Sequence, residues 1–352
     1  MPRTTTRRSL AVLCAVSALA LAACGGHDKP KAAPPPSPTP TSPSPSATPA
    51  AVHPVATCPL TGRPPGKGQK RDRPALAIKI DNVDIARPQS GIDKADVVFE
   101  ETVEGGLTRL FAVFQCNSVD TVGPVRSART SDSDLLQIFK TAIFGYSGAN
   151  RHVNARINAT PFVVPLSYDS HGALYHRSSS RPAPHNVYTA TSILVRAGSD
   201  GKKWLRPPPP LFRYSPKPTG GKAAHSIALR WSGFASAGWG WTGNAWNRTQ
   251  NGSPDRLASG VRVAVANVVV MQITTRYLGL HDVLGNASPD DVVTGSGKVW
   301  VFRNGRMIQG RWIHKHPRWP LRLMHAGKVI PLAPGHTWVE LLPHSGSISV
   351  SR

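Results

Sequence analysis

The apolar residues of this chain fall into short runs separated by glycine, proline and polar clusters. In the first half, runs rich in β-branched and aromatic residues predict strands at 75–80, 95–101, 107–114, 141–146 and 162–166. Between them we expect short helices at 131–140, from Ala149 onward, and at 188–197. Ser131 and Asp134 have the spacing of a capping box, which places the start of the first helix. Strands mixed with helices predict an α+β or α/β N-terminal domain with a mixed sheet, over residues 58–200.

The second half has strand and turn signals and no amphipathic stretch long enough for a ten-residue helix. Strands are expected at 225–231, 262–273, 298–303, 306–312, 328–332 and 337–342. Asn304-Gly305 between two of these runs is typical of a type I′ hairpin turn. Residues 223–352 are therefore predicted to form a small, mostly antiparallel β domain. A proline-rich segment at 201–222, which contains Pro207–Pro210, is the expected linker.

The first 57 residues have the pattern of a membrane anchor and a tether. A basic start and an apolar run at 10–21 end in Leu21-Ala22-Ala23-Cys24, which predicts a lipoprotein signal peptide over 1–23 and lipidation of Cys24. The alternative is a plain secretory signal with an unmodified Cys24. Residues 24–57 are rich in proline and predict an extended tether. We therefore expect an extracytoplasmic protein, lipid-anchored to the bacterial cell membrane.

The cysteines agree with an oxidising compartment. Cys14 leaves with the signal peptide and Cys24 is the lipidation site, so Cys58 and Cys116 remain. An even pair in an exported protein predicts a disulfide. Two independent buried thiols are the alternative.

Basic residues are concentrated in the second half of the chain. The formal net charge is +23; residues 58–200 hold 17 basic and 13 acidic residues, whereas residues 201–352 hold 20 and 5. An exported protein meets no nucleic acid, so its expected partners are the membrane through the N-terminal lipid, and an anionic cell-wall polymer or envelope protein. The alternative is that the charge only keeps the protein soluble.

Arginines are placed beside glycine turns in the stretch 104–129. Guanidinium groups bind phosphate and carboxylate with two parallel hydrogen bonds, and glycine lets a ligand approach the backbone closely. The predicted ligand-binding set comprises Arg109, Arg126, Arg129, Arg177, Arg181, His185 and Asn186. The alternative is a structural ion network between these arginines and nearby acids.

Three acids lie at the ends of predicted strands, namely Asp81, Glu100 and Glu104. Clustered carboxylates at strand ends can hold Mg²⁺, which is the one cofactor that the sequence suggests. Capping of turns or pairing with arginine is the competing interpretation. Gly145–Ala149 approaches the G-x-S-x-G elbow of hydrolases, but it also fits an ordinary strand-to-helix turn.

Several motifs occur together in a recognisable order. They are AIKIDN at 77–82, ARPQSG at 86–91, ADVV at 95–98, EGGLTR at 104–109, GPVRSAR at 123–129, PHNVYT at 184–189, NVVV at 267–270, GSGK at 295–298 and GHTWVE at 335–340. This pattern resembles the YerB-like lipoprotein family over about residues 59–343. The resemblance implies a two-domain, extracytoplasmic bacterial lipoprotein, and it supplies no catalytic residues.

Two functions are compatible with these observations. The first is a ligand-binding or regulatory protein of the cell envelope with an arginine-rich anion site. The second is an enzyme that acts on a phosphorylated or acidic wall precursor, similar to a phosphotransferase. The first is favoured because no nucleophile and base stand out, and catalytic residues are not assigned.

Overall fold

We analysed a computed structural model that describes residues 56–217, 220–282 and 285–352. Three short α-helices are present in these ranges: α1 (Asp132–Ile138), α2 (Arg151–Asn158) and α3 (Thr191–Ser199). Single turns of 3₁₀ helix occupy Asp84–Ala86, Ile92–Lys94, Glu104–Gly106 and Gly172–Leu174. Helix is a minor part of the fold, so the prediction of an α+β or α/β domain with a mixed sheet is correct for the sheet and only partly correct for the helices.

Strands make up most of the described chain. In the first half they are β1 (Ala75–Asp81), β2 (Val97–Thr102), β3 (Thr108–Phe114), β4 (Ala142–Tyr146), β5 (Val163–Ser167), β6 (His176–Arg177) and β7 (Val187–Tyr188). In the second half they are β8 (Lys222–Ala223), β9 (Ser226–Arg230), β10 (Ser236–Trp241), β11 (Trp246–Gln250), β12 (Ser253–Pro254), β13 (Ala264–Val265), β14 (Asn267–His281), β15 (Ala287–Val292), β16 (Gly295–Arg303), β17 (Arg306–His314), β18 (Arg322–His325), β19 (Lys328–Val329), β20 (Thr337–Pro343) and β21 (Ser347–Ser351).

One large sheet runs through both halves of the chain. Its strand order is β19-β18-β17-β16-β14-β20-β2-β3-β1-β4-β5, with β15 and β8 added beside β14 and β17. The N-terminal part is mixed, because β1, β4 and β5 are parallel while β3 is antiparallel to β1 and β2. The C-terminal part is mostly antiparallel. The halves join where β20 pairs in parallel with β2 on one side and with β14 on the other.

Both faces of the large sheet are covered. One face packs on α1 and α2 through an apolar cluster that contains Phe99, Phe111 and Phe144. A smaller sheet, with the order β12-β11-β10-β9-β21, and α3 contribute to the cluster on the other face. Burial on both faces explains why β1 and β3 are apolar at nearly every position, without an alternating pattern. The described residues from 56 onward form one compact unit.

Several local predictions were wrong at the ends of elements. Ser131 does not cap α1 with its side chain, because its hydroxyl donates to the buried carboxylate of Glu101. The third helix begins at Thr191, since Tyr188 lies in β7 and pairs with His176. The hairpin at Asn304-Gly305 is as predicted, with both residues at positive φ between β16 and β17.

The segment predicted to be a linker packs against the fold where the structure describes it. Leu211 and Phe212 are buried in the cluster beneath α1 and α2. The Tyr214 hydroxyl donates to the carbonyl of Leu60, at 2.5 Å. Cys58 and Cys116 form a disulfide, with their Cα atoms 6.0 Å apart. Cys24, the signal peptide and most of the tether lie outside the described residues.

Candidate functional site

A cavity of about 830 Å³ opens where β1 ends and β3 begins. The 3₁₀ turn at Glu104–Gly106 and the segments 126–129 and 147–150 line it, and residues from the end of β14 reach it from the second half. The residues of the predicted set that line the cavity are Asp81, Glu104, Arg109, Arg126, Arg129, Arg177 and His185. Chain segments far apart in sequence thus bring most of the predicted site residues together.

Arg109 lies in β3, directly across from Asp81 in β1, and its side chain is nearly buried. One guanidinium nitrogen, Nη1, donates to the carbonyl of Ser127 at 3.1 Å, and Nε has no hydrogen-bond partner. No carboxylate lies within ion-pair distance of Arg109 among the described residues. Burial, together with the charges of Arg129 and Arg126, lowers the pKa of Arg109 to about 9. The guanidinium is therefore protonated at neutral pH and is poorly compensated.

Two other buried arginines show how unusual this environment is. Arg248 pairs with two carboxylates, those of Glu100 and Asp255, each at 2.5 Å. Arg303 has no acidic partner in the part of the chain that the structure describes, but it donates to three backbone carbonyls at 2.8–2.9 Å. Arg109 has one carbonyl acceptor. A buried cation needs compensation, so Arg109 is the arginine whose surroundings fit a bound anion best.

Asp81 ends β1 and organises the next part of the cavity. Its Oδ2 atom accepts hydrogen bonds from Arg126 Nε at 2.9 Å and from His185 Nδ1 at 2.7 Å. Burial alone would raise the pKa of Asp81, but the His185 hydrogen bond and the charges of Arg109 and Arg126 outweigh it and lower the pKa. Asp81 is therefore an ionised, fully buried carboxylate that orients two cavity residues.

Glu104 has the same role for Arg129. Its Oε2 atom accepts from Arg129 Nε at 2.8 Å, and its Oε1 atom accepts from the hydroxyl of Ser288 at 2.6 Å. Burial would raise the pKa of Glu104, but the charge of Arg129 and the Ser288 hydrogen bond lower it. Since Ser288 is in β15, this contact joins the second half of the chain to the rim of the cavity.

A buried ion network supports the loop that carries Arg126 and Arg129. Lys79 in β1 pairs with Glu101 and with Asp132 Oδ1, the latter at 2.9 Å. The other carboxylate oxygen of Asp132 accepts from the backbone N–H of Arg129 at 2.6 Å. Burial lowers the pKa of Lys79 to about 8, although Asp132 opposes this shift. The network holds in place the backbone segment that carries Arg126 and Arg129.

Arg177 lies on another wall of the cavity. Its Nη1 donates to the side chain of Asn186 at 2.6 Å, and its Nε donates to the hydroxyl of Tyr168 at 3.1 Å. The guanidinium also lies over the Tyr168 ring, 4.9 Å from the ring centre. Asn186 thus orients Arg177, although it does not line the cavity itself.

Two predicted residues lie elsewhere. Arg181 donates to the carbonyls of Ile85, Arg87 and Pro88, so it fixes a loop and does not line the cavity. Glu100 is fully buried under the small sheet, where it pairs with Arg248.

The three acids proposed for Mg²⁺ do not form one cluster. Asp81, Glu100 and Glu104 each pair with a different arginine. Within residues 56–217, 220–282 and 285–352 no group of three or more His, Cys, Asp or Glu side chains is arranged to hold a metal ion. Pairing with arginine is the arrangement that the structure contains.

Some cavity residues gave no usable signal in the sequence. His281, the last residue of β14, and Asp282 and Asn286 after it line the cavity, although they lie more than 170 residues after Arg109. Ser147 and Gly148 also line it. No hydrogen bond joins the Ser147 hydroxyl to His185 in the described chain, and the hydrolase elbow stays a prediction.

Helices long and apolar enough to cross a membrane were not found among the described residues.

The chain has one long sheet shared by two halves and an arginine-lined cavity beside their junction. Comparison with known proteins places it in a two-domain family. The N-terminal domain profile of the family described as "Protein of unknown function (DUF3048)" matches residues 60–203, and its C-terminal domain profile matches residues 227–339. Together the profiles cover well over half of the chain, which belongs to this family.

YerB of Bacillus subtilis, which is described as a candidate lipoprotein, is 28% identical over 306 residues. The match covers 84% of this chain and 88% of YerB. The crystal structure of YerB from Bacillus subtilis is similar with a TM-score of 0.72 and 26% identity, over 84% of this chain and 99% of that one. The resemblance to YerB-like lipoproteins is therefore confirmed.

Proposed function

We propose that this protein is a lipid-anchored, extracytoplasmic binding protein whose cavity holds an anionic ligand. The observation that carries the proposal is Arg109, a buried guanidinium with one carbonyl acceptor and no carboxylate partner in the described chain. Arg126 and Arg177 line the same cavity, so an anion that reaches Arg109 meets further donors. The predicted lipoprotein signal and the description of YerB support the location.

The test compares purified ectodomains, residues 57–352, with and without Arg109. Native mass spectrometry is expected to find an anionic small molecule on the wild-type protein, and Arg109→Met is expected to lose it. A charge-assisted hydrogen bond contributes about 1.5–3 kcal/mol, so affinity should fall roughly 10- to 100-fold. Arg230→Met is the matched control, since Arg230 is exposed on the small sheet. Equal ligand retention by both variants would contradict the proposal.

We propose further that an exposed basic face of the second half contacts an anionic cell-wall polymer. Lys298 in β16 lies directly across from Arg311 in β17, and Arg322 of β18 shares their face. All three are exposed and none has an acidic partner among the described residues. Like charges in a cross-strand pair are unfavourable, so a polyanion would stabilise this arrangement.

Cosedimentation of the ectodomain with insoluble cell-wall fragments tests this contact. Binding is expected at about 0.05 M salt and should be lost at about 0.5 M, because salt screens exposed charges. Replacing Lys298, Arg311 and Arg322 together by Gln should abolish binding. A control with the same change of charge replaces Lys94, Arg196 and Arg230, which are exposed elsewhere. The partner proposal fails if the two triple variants bind equally.

A further inference from the structure

We infer that the cavity selects anions that carry a hydrogen-bond donor, because His185 presents a proton-accepting nitrogen among the arginines. Such ligands are inorganic phosphate, through its P–OH group, or a carboxylate with a neighbouring hydroxyl. Sulfate and simple carboxylates lack the donor. The inference rests on the proposed anion site and names the class of ligand that the site takes.

The first step is the state of the His185 ring. Asp81 is 1% exposed and its Oδ2 atom accepts from Arg126, which keeps the carboxylate ionised. An ionised carboxylate can only accept hydrogen bonds. His185 Nδ1 lies 2.7 Å from the same oxygen, so Nδ1 must carry the hydrogen. A neutral imidazole has one N–H, and its Nε2 atom therefore has a free lone pair.

The second step is the position of that lone pair. His185 lines the cavity, and Nε2 makes no hydrogen bond to any residue in the described ranges. The His185 side chain is 17% exposed, so the ring is held in place while one edge stays accessible. Asp81 thus fixes a ring whose available atom in the cavity, in the neutral imidazole, is a hydrogen-bond acceptor.

The third step concerns the groups that surround the His185 Nε2 atom. Arg109 and Arg126 supply donors and positive charge, which any oxyanion satisfies. Asp169, an exposed carboxylate in the lining, adds a second acceptor. A fully deprotonated oxyanion would direct an oxygen lone pair at the lone pair of Nε2. Two acceptors that face each other without a hydrogen between them repel, so such an anion binds less well. Phosphate avoids this repulsion by donating its hydroxyl, since the hydrogenphosphate ion keeps one proton at neutral and mildly basic pH.

Isothermal titration calorimetry of the ectodomain at about pH 8.5, where an ordinary histidine is neutral, tests the inference. Phosphate is compared with sulfate, and glycolate with acetate, so that each pair differs in one donor. The donor-bearing member of at least one pair is expected to bind at least tenfold more tightly. A preference limited to the first pair assigns a phosphate ligand, and one limited to the second assigns a hydroxycarboxylate.

Two variants connect any preference to His185. His185→Leu removes the acceptor and should abolish the preference. His185→Gln should keep part of it, because its amide N–H can donate to Asp81 while its carbonyl oxygen accepts. His225→Leu, an exposed histidine in the second half, is the control.

The outcomes separate the two proposals. If the anions of each pair bind equally well, or if His185→Leu keeps the preference, the selectivity inference is overturned and the anion site stands. If no anion binds to the wild-type protein freed of copurifying ligand, both proposals fall.

Discussion

Arg109 and Arg248 are both buried guanidinium groups, but their surroundings are opposite. Burial and neighbouring arginines lower the pKa of Arg109. For Arg248 burial acts in the same direction, but the charges of Glu100 and Asp255 outweigh it and raise the pKa. Arg248 also lies over the Trp338 ring, 4.6 Å from its centre. Arg248 completes a structural network, whereas Arg109 has no acidic partner among the described residues.

This contrast predicts different effects on stability. Arg109→Met should leave the ligand-free melting temperature unchanged or raise it, because an uncompensated buried charge is removed. Arg248→Met should lower the unfolding free energy by about 3–5 kcal/mol, since Glu100 and Asp255 would remain buried without their cation. Thermal and urea unfolding of ligand-free protein measure both changes. Strong destabilisation by Arg109→Met would show that Arg109 is structural and would remove the basis of the anion site.

At the scale of elements, the β14–β15 hairpin connects the second half of the chain to the cavity. β15 contacts the first half through Ser288, which donates to Glu104, and through Asp291, whose Oδ2 accepts from the backbone N–H of Thr102 at 2.8 Å. The other oxygen of Asp291 accepts from Thr275 at 2.6 Å. His281 at the end of β14 lines the cavity, so the docking of this hairpin helps to form the site.

The docking of the hairpin is expected to depend on pH. Burial raises the pKa of Asp291 to about 6, whereas an unfolded aspartate ionises near pH 4. Because the folded pKa is higher, the unfolded chain releases this proton first, and stability falls as the pH rises from about 4 to about 6. Asp81 and Glu104 have lowered pKa values and act in the opposite direction, mainly below pH 5.

Asp291→Asn should therefore remove part of the pH dependence between about pH 5 and pH 7.5. Asparagine keeps an oxygen acceptor for Thr102 and cannot ionise. The wild-type protein should lose about 1 kcal/mol more stability over this interval than the variant does. Urea denaturation of both proteins at about pH 5 and pH 7.5 measures these unfolding free energies. Titrations of groups that the two proteins share cancel in the difference between them. Parallel pH profiles for the two proteins would show that Asp291 is not the group responsible.

At the scale of the whole molecule, the two family domains share one sheet. β20 from the second half lies between β2 and β14, and Val98 pairs with Trp338 in the parallel register. The buried ion pair between Glu100 and Arg248 also joins the halves. Separation would leave β2 with an unpaired, apolar edge and buried charges without partners.

We therefore predict that the ectodomain unfolds in one cooperative transition and that neither half folds alone. Residues 57–217 and residues 220–352, produced separately, should be aggregated or lack dispersed amide resonances. The intact ectodomain is the reference for calorimetry and NMR. A well-dispersed spectrum from the isolated first half would show that the shared sheet is dispensable.

The sequence by itself determined the local features of this protein. Apolar runs located β1 and β3 to within one residue at each end, and the Asn304-Gly305 turn marked its hairpin. The run predicted at 262–273 only overlaps β14, which is Asn267–His281. These features depend on residues close together in the chain, where periodicity and turn chemistry act directly. The sequence also selected Arg109 as a site candidate, because guanidinium groups bind anions and the neighbouring glycine turn lets a ligand approach.

The tertiary structure decided which charges meet. Glu100 pairs with Arg248, 148 residues away, and Glu104 accepts from Ser288, 184 residues away. No local pattern encodes these partners, since strand order in the sheet sets them. Among the described residues the fold pairs Arg129 and Arg248 with acids and leaves Arg109 without one. That difference comes from the position of each strand in the shared sheet, and it is the basis on which we propose Arg109 as the ligand-binding arginine.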